Sequence, residues 1–169
     1  HLVNLSKIVN GETPYNADTT QIVNSIYNNN QYKHVVNNNT RTYKNCYFVI
    51  VNDLDMNGSG FAPIGKDKTY FFEGNVSGVT SIEHRSISNL TINLASTDNV
   101  GLFGYVRAIE KLSTTLEYIV LDNSCSFVGK SNVGSIAGWA QDAIIQNCIN
   151  NATVEGKGEN AGGSVGKNF

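Results

Sequence analysis

Charge is what this sequence has least of. Only 15% of its 169 residues are Asp, Glu, Lys or Arg, and 12 basic against 14 acidic side chains leave a net charge of -2. Basic residues are scattered singly, so a phosphate-neutralising patch for nucleic acid is not expected. No apolar stretch approaches the roughly 18 residues that a membrane-spanning helix needs. The three cysteines, Cys46, Cys125 and Cys148, are too few and too scattered for a disulfide scaffold, and none has the CxxC spacing of a zinc site. Their number leaves the redox compartment open. The chain opens on His1 with neither an initiator Met nor a secretory apolar segment, which suits a mature or trimmed stretch of polypeptide.

What the sequence does have is polarity without charge. Asn occurs 24 times, and Asn, Ser and Thr together make up 50 residues. Asn tolerates the left-handed backbone region and caps turns, so a surplus of Asn beside 16 Gly favours an all-β chain with many tight corners. Leu, Ile, Val and Phe supply 46 residues, enough for a single domain to bury a sizeable core.

Two regions differ in pattern. In residues 1–45, Leu2, Leu5, Ile8 and Val9, then Ile22, Val23, Ile26 and Tyr27, recur at helical spacing and predict two short helices. The second would be capped near Asp18, Thr19 and Thr20 and stopped by Asn28, Asn29 and Asn30. From Tyr43 onward short β-rich runs are broken by Gly or Asn: residues 47–51, 70–72, 88–94, 116–121 and 143–149. Alternation in the third run turns Leu90, Ile92 and Leu94 inward and Thr91 and Asn93 outward, while the apolar stretch 118–121 reads as covered on both faces.

Internal repetition organises this second region. NVGLFG (residues 99–104), NVGSIAG (132–138) and NAGGSVG (160–166) share an Asn-x-Gly start and a closing Gly, with starts 33 and 28 positions apart. A second register starting at Ile87, Leu116 and Ile145 recurs at 29 and 29. Such units cannot bury their apolar residues alone, but stacked they share a continuous interior. The fold expected is therefore mainly β, a parallel β-helix of roughly three to four coils over residues 46–169. Its exposed first end would be covered by a short helical N-terminal cap in residues 1–45. Gly101 and Gly134 are expected at sharp corners, where a Cβ would clash or φ must be positive. The chain ends inside a third repeat, which leads us to expect that the repeats run on. Cys125 and Cys148 lie a little under one repeat apart, and stacked buried thiols are favoured over a disulfide.

Motifs that carry chemistry fail in context. GGSVG (162–166) matches a nucleophile elbow around Ser164, but an elbow needs a strand before it and a helix after it, and these glycines belong to the repeat. GKGENA (156–161) lacks the helix and the ribose-binding acid of a dinucleotide site, and GFAPIGK (60–66) is followed by Asp67 where a phosphate loop needs Ser or Thr. DLDMNG (53–58) places Asp53, Asp55 and Asn57 in alternation before Gly58, like a calcium loop, but its twelfth position is Ile64 instead of Glu. Those acids read as turn caps, as do Asp98, Asp122 and Asp142. His34 and His84 lack partners at ligand spacing, and no HExxH occurs. Trp139 and eight Tyr suit packing more than sugar stacking. Sequons at Asn4, Asn38, Asn57, Asn75, Asn89 and Asn151 are close to the number this composition gives by chance. No catalytic residue, metal ligand or cofactor site is therefore assigned.

The phrases NVGLFG, NVGSIAGWA and NAGGSVG resemble the GLUG repeat of bacterial surface proteins. YFVIVNDLDMNGSGFAPIG (47–65) and FFEGNVSG followed by ISNLTI are similar to the coils that precede such repeats. The resemblance covers about residues 47–166 and departs from the family pattern at SIEHRS (81–86) and at the long 109–116 connection. It implies a β-helix in a secreted or cell-surface bacterial protein, an adhesin or the region beside the protease domain of an IgA-specific metalloprotease, acting as spacer or binding surface. The expected function is thus a non-catalytic extracellular module for adhesion or display toward a host or matrix protein or glycan. The alternatives are a spacer in a larger secreted protease, or a polysaccharide-processing β-helix enzyme, which would need converging Asp residues with Arg85 or Arg107 in a groove.

Overall fold

The computed structural model describes residues 2–12, 47–58, 60–80, 83–108 and 114–169; the side chains of Asn4, Val79, Thr80 and Glu83 are outside the description. The first helix forms where the apolar spacing places it, as α1 (Leu2–Val9), with Leu5, Ile8 and Val9 buried. It is tied to the β region by polar groups as well. The Ser6 hydroxyl donates to the Ala62 carbonyl at 2.5 Å, and the Asn10 amide donates to the Pro63 carbonyl at 2.9 Å. The second expected helix, with its cap and stop, lies outside the described residues, as do Cys46, His34 and the Asn38 sequon.

The described residues from Tyr47 onward run through the same positions tier after tier. The first tier holds β1 (Tyr47–Val49) and β2 (Leu54–Asp55), followed by single bridges from Ile64 to Phe103 and from Phe72 to Val106. The second tier holds β3 (Asn75–Ser77), a hairpin of β4 (Val79–Thr80) and β5 (Glu83–His84), then β6 (Ser86–Ser88), β7 (Thr91–Leu94) and β8 (Phe103–Arg107). The third comprises β9 (Thr114–Glu117), β10 (Val120–Leu121), β11 (Ser126–Gly129) and β12 (Ala137–Gln141). The fourth comprises β13 (Ala143–Gln146), β14 (Ile149–Asn150), β15 (Thr153–Gly156) and β16 (Val165–Asn168).

Corresponding strands of successive tiers pair in parallel, giving four stacked sheets: β1-β3-β9-β13, β2-β6-β10-β14, β7-β11-β15 and β8-β12-β16. The arrangement is mainly β and consistent with a β-solenoid. Residues 87 and 121 pair in parallel, so the 87–94 and 116–121 runs are not a hairpin. Among the described residues the one antiparallel pair is β4–β5, within the segment where the sequence leaves the repeat pattern.

The interior is made of columns of inward side chains. Between the columns, Phe48, Phe72 and Phe103 touch across the interior, with ring centroids 6.0 and 5.0 Å apart. Val76 and Leu116, Ile92 and Phe127, and Val106 and Ala140 are register partners, and all are buried. Leu90 and Ile92 point inward, Leu94 is half-buried, and Thr91 and Asn93 face solvent. Removing apolar surface from water at about 25 cal/mol per Å² is the main stabilising term for such columns.

Corners interrupt three of the expected strands. The 88–94, 116–121 and 143–149 runs are each two strands, divided at Asn89 (φ 53°), Tyr118 (φ 55°) and Asn147 (φ 54°). Apolarity and β-propensity carry no mark of a single left-handed residue, so each run reads as continuous. For the same reason 118–121 is not covered on both faces: Ile119 and Leu121 are buried, Tyr118 and Val120 half-buried. The 70–72 run forms only the bridge at Phe72. The Asn-x-Gly register is confirmed, since Val100 bridges Val133 and Val133 bridges Ala161, 33 and 28 positions on. The second register is corrected in its first step. Leu116 pairs with Ile145, but Ile87 pairs with Leu121, in a different sheet from Leu116.

The Asn-x-Gly motif has a physical reading. Asn99, Asn132 and Asn160 hold φ values of 61°, 53° and 58°, and their side chains form a ladder. Asn132 donates its amide to Asn99 Oδ1 and Asn160 donates to Asn132 Oδ1, each at 2.9 Å. Gly101 and Gly134 are needed for space and not for a positive φ. A Cβ at Gly134 would sit 2.5 Å from the Ala137 carbonyl oxygen, 2.6 Å from the Gly166 nitrogen and 2.7 Å from the Ser164 carbonyl oxygen. The closing Gly138 lies as tightly under the next-lower corner, where a Cβ would meet the Val100 nitrogen at 2.6 Å.

Gly134→Ala should therefore destabilise the domain by about 3 kcal/mol in urea unfolding, because only backbone surrounds the new methyl. Gly60→Ala, with nothing within 4 Å of its Cβ, should stay within about 0.5 kcal/mol of the parent. Equal effects at the two sites would contradict this account of the motif.

Candidate functional site

Stacking brings together acids that the sequence spaces far apart. The strands of the second sheet and the residues flanking them recur in every tier, and their outward positions align into one polar edge. Asp53 and Asp55 lie there in the first tier, Ser86 and Asn89 in the second, Asp122 and Ser124 in the third, and Asn151 in the fourth. Of the five Asp weighed as catalytic candidates, Asp53, Asp55 and Asp122 share this edge. Asp98 sits beside the Asn ladder, and Asp142 lies at another corner, with φ 54°.

The hydrogen bonds of the edge are specific. Asp53 Oδ1 accepts from the Ser86 backbone N–H at 2.9 Å, one tier up. Asp55 Oδ1 accepts both the Asn57 N–H and the Asn89 side-chain amide, each at 2.9 Å. The Asn89 N–H in turn donates to the Ser124 hydroxyl at 2.8 Å, and the Ser124 N–H donates to Asp122 Oδ1 at 2.8 Å. The chain of contacts thus ties three tiers together along their surface.

These bonds fix the electrostatics. The Asn89 amide, and after it the Asn57 N–H, hold the Asp55 carboxyl below the usual carboxylate range. The Ser124 N–H and hydroxyl do the same for Asp122. A general acid needs the opposite shift, toward neutral pH, and a calcium ion would need these oxygens free of competing donors. Among the described residues no group of three His, Cys, Asp or Glu side chains could hold a metal ion. The DLDMNG segment instead turns through Asn57 and Gly58, both at positive φ.

Other sequence candidates fall elsewhere. Ser164 lies directly before strand β16, its carbonyl accepting from the Ile136 and Ala137 N–H groups. The 156–161 stretch is the turn after β15, and in the 60–66 stretch Ile64 bridges to Phe103 while Gly65 holds φ 76°. His84 is exposed, with its ring 5.6 Å from Tyr118. Arg85 precedes β6 near the polar edge, whereas Arg107 ends β8, 6.0 Å from the Phe71 ring, so the two basic candidates belong to different faces. Trp139 stacks on Tyr105 at 5.3 Å and on Phe169 at 4.6 Å. Its faces are thereby occupied by neighbours, and the column is no open platform for a sugar ring.

Three sequon asparagines, Asn57, Asn89 and Asn151, lie exposed on the polar edge, whereas Asn75 is half-buried and accepts from the Thr115 N–H at 2.8 Å. Thr91 and Thr153, which complete two of those sequons, both pair with Ser126. Asn-x-Thr recurs because a corner Asn, an inward residue and an outward strand residue repeat with the tiers. The alignment itself was not readable from sequence, since Asp55 and Asp122 fall on one line, two tiers apart, only through the register of β2, β6 and β10.

The cysteines occupy different columns. Cys125, buried, precedes β11 just as Leu90 precedes β7, while Cys148 follows the same corner as Ile119 and is half-buried. The two are free thiols and do not stack on one another, which corrects that part of the expectation. Burial raises the pKa of both.

Acid stability should report the edge. Asp55 and Asp122 have lowered folded pKa values, so their stabilisation is complete above the unfolded carboxyl value near 3.8 and is lost as pH falls through the folded values. Thermal melts between about pH 6 and pH 2 should show that loss, and a double Asp55→Asn, Asp122→Asn variant should flatten it. An unchanged pH profile in the double variant would refute the role given to these bonds.

No protein-family model and no solved structure matches the chain. Over 166 aligned residues, covering 92% of the chain, the sequence is 29% identical to Halomucin of Haloquadratum walsbyi (strain DSM 16790 / HBSQ001). The chain spans about 2% of the length of that curated relative.

Proposed function

We propose that this chain is a non-catalytic extracellular module of the GLUG-repeat type. In this reading its tiers close into a β-helix, and α1 covers the first of them. The module displays an elongated, nearly uncharged surface for adhesion to a host or matrix protein or glycan. One observation carries the reading: the edge that gathers Asp53, Asp55 and Asp122 uses them as caps and inter-tier ties. That arrangement leaves hydrogen-bonding Asn, Ser and Thr groups outward at small desolvation cost, and on this edge no carboxyl is shifted toward neutral pH as a general acid would be. The likeness to Halomucin supports a place at the cell surface. The helix reading is supported by the bonds from Ser6 and Asn10 to Ala62 and Pro63 and by the shared burial of Leu5, Ile8 and Phe61.

A polysaccharide-processing enzyme is the competing reading, favoured by the place of Asp53, Asp55 and Asp122 on one edge. Binding of the purified chain to a panel of glycans and matrix proteins, beside an assay for new sugar ends from acidic polysaccharides, separates the two. Saturable binding without turnover, unchanged by Asp53→Asn or Asp122→Asn, is the outcome expected. Turnover abolished by either substitution would establish the enzyme.

A further inference from the structure

An Asn-x-Ser/Thr triplet of a folded chain accepts an N-linked sugar where its amide and its hydroxyl both reach the surface. The fold sorts the triplets of this chain by that condition. In residues 75–77 the acceptor is turned into the wall: Asn75 is half-buried with Oδ1 accepting from the Thr115 N–H at 2.8 Å, and Ser77 is buried. In residues 4–6 the Ser6 hydroxyl is buried and donates to the Ala62 carbonyl at 2.5 Å. The Asn38 and Asn57 triplets include residues outside the description and carry no part of the inference.

Two triplets among the described residues are presented in full, 89–91 and 151–153. Asn89, Thr91, Asn151 and Thr153 are all exposed, while the residue between each pair, Leu90 or Ala152, packs against the core. A primary amide has two N–H groups, and Asn89 gives one to Asp55 Oδ1 and keeps the other for reaction.

Register also sets the distance between the two. Thr91 and Thr153 both pair with Ser126, so the triplets lie two tiers apart, about 10 Å at one strand spacing per tier. The tier between them carries Ser124, Cys125 and Ser126 in the corresponding places, with Cys125 buried. Sugars on consecutive tiers would collide. On alternate tiers, over two small hydroxyl side chains, two sugars stand side by side.

We infer that Asn89 and Asn151 are acceptor sites for N-linked glycans, set in a row along the polar edge. The donor is a glycosyl group carried on a lipid-linked diphosphate. The Asn Nδ2 attacks the anomeric carbon, and the new N–C bond forms as the C–O bond to the diphosphate breaks. The diphosphate leaves with the bonding pair, and the proton lost from Nδ2 passes to a base of the transferase. The product amide retains one N–H, so the bond from Asn89 to Asp55 survives the modification. The inference rests on the extracellular reading for the route on which such a donor is met, and on nothing in its adhesive part.

The purified, folded chain is incubated with a single-subunit oligosaccharyltransferase and a lipid-linked oligosaccharide, beside synthetic peptides of the Asn75, Asn89 and Asn151 triplets. Occupancy is mapped by mass spectrometry of the glycopeptides. All three peptides should accept sugar. The folded chain should be occupied at Asn89 and Asn151 and about tenfold less at Asn75, which the transferase reaches only through local opening. Thr91→Val should abolish occupancy of Asn89 and spare Asn151, and Thr91→Ser should retain both; Thr91 is exposed, so neither change touches the core. A folded chain left bare at both sites while the peptides are modified, or one modified equally at Asn75, would overturn the inference. Peptides of the Asn89 and Asn151 triplets that refuse sugar would overturn it as well. Failure in any of these forms leaves the binding and turnover assays of the unmodified chain, and with them the surface-module reading, untouched.

Discussion

Parallel strands stacked about 4.8 Å apart place every residue directly over its counterpart one tier below. Whatever the sequence repeats, it must tolerate meeting itself at that distance. Apolar residues meet that condition inside, as the register series Ile92, Phe127 and Val154 does. Outside, a repeated charge would form a like-charge column, each pair repelling by about 1 kcal/mol even in water. An amide is its own complement, donor at one end and acceptor at the other, and Asn99, Asn132 and Asn160 use it that way. A low charge and Asn at the repeated corners suit this constraint.

The same spacing explains the glycines. Where the backbone of one tier folds under the corner of another, as at Gly134 and Gly138, no room remains for a methyl group. Asn supplies the left-handed turn and Gly the clearance, so the two residue types appear together in each copy of the motif and divide the work between them.

How far the sequence reveals this depends on what each pattern encodes. The Asn-x-Gly spacing is a direct image of the bridges Val100–Val133–Ala161, because the motif is itself the contact between tiers. The 87, 116 and 145 register misled because Ile87 and Leu116 precede different corners, Asn89 and Tyr118, and two unlike turns gave equal spacing by coincidence. Strand breaks at single residues are invisible to apolar periodicity, which averages over several positions. The polar edge was half legible: Asp53, Asp55 and Asp122 each read as turn caps, and they are, but their alignment needs the register, which no local pattern states.

The β4–β5 hairpin bears on how such a chain changes over time. From Val76 to its partner Leu116 is forty positions, whereas Leu116 meets Ile145 after twenty-nine. The second tier absorbs part of the extra length by extruding an antiparallel finger from a corner, and the strands before and after it keep their pairing. Corners are therefore where insertions can be accepted without disturbing the stack. A lineage can vary its outermost features tier by tier, trying new fingers on a scaffold whose interior columns record none of the experiments.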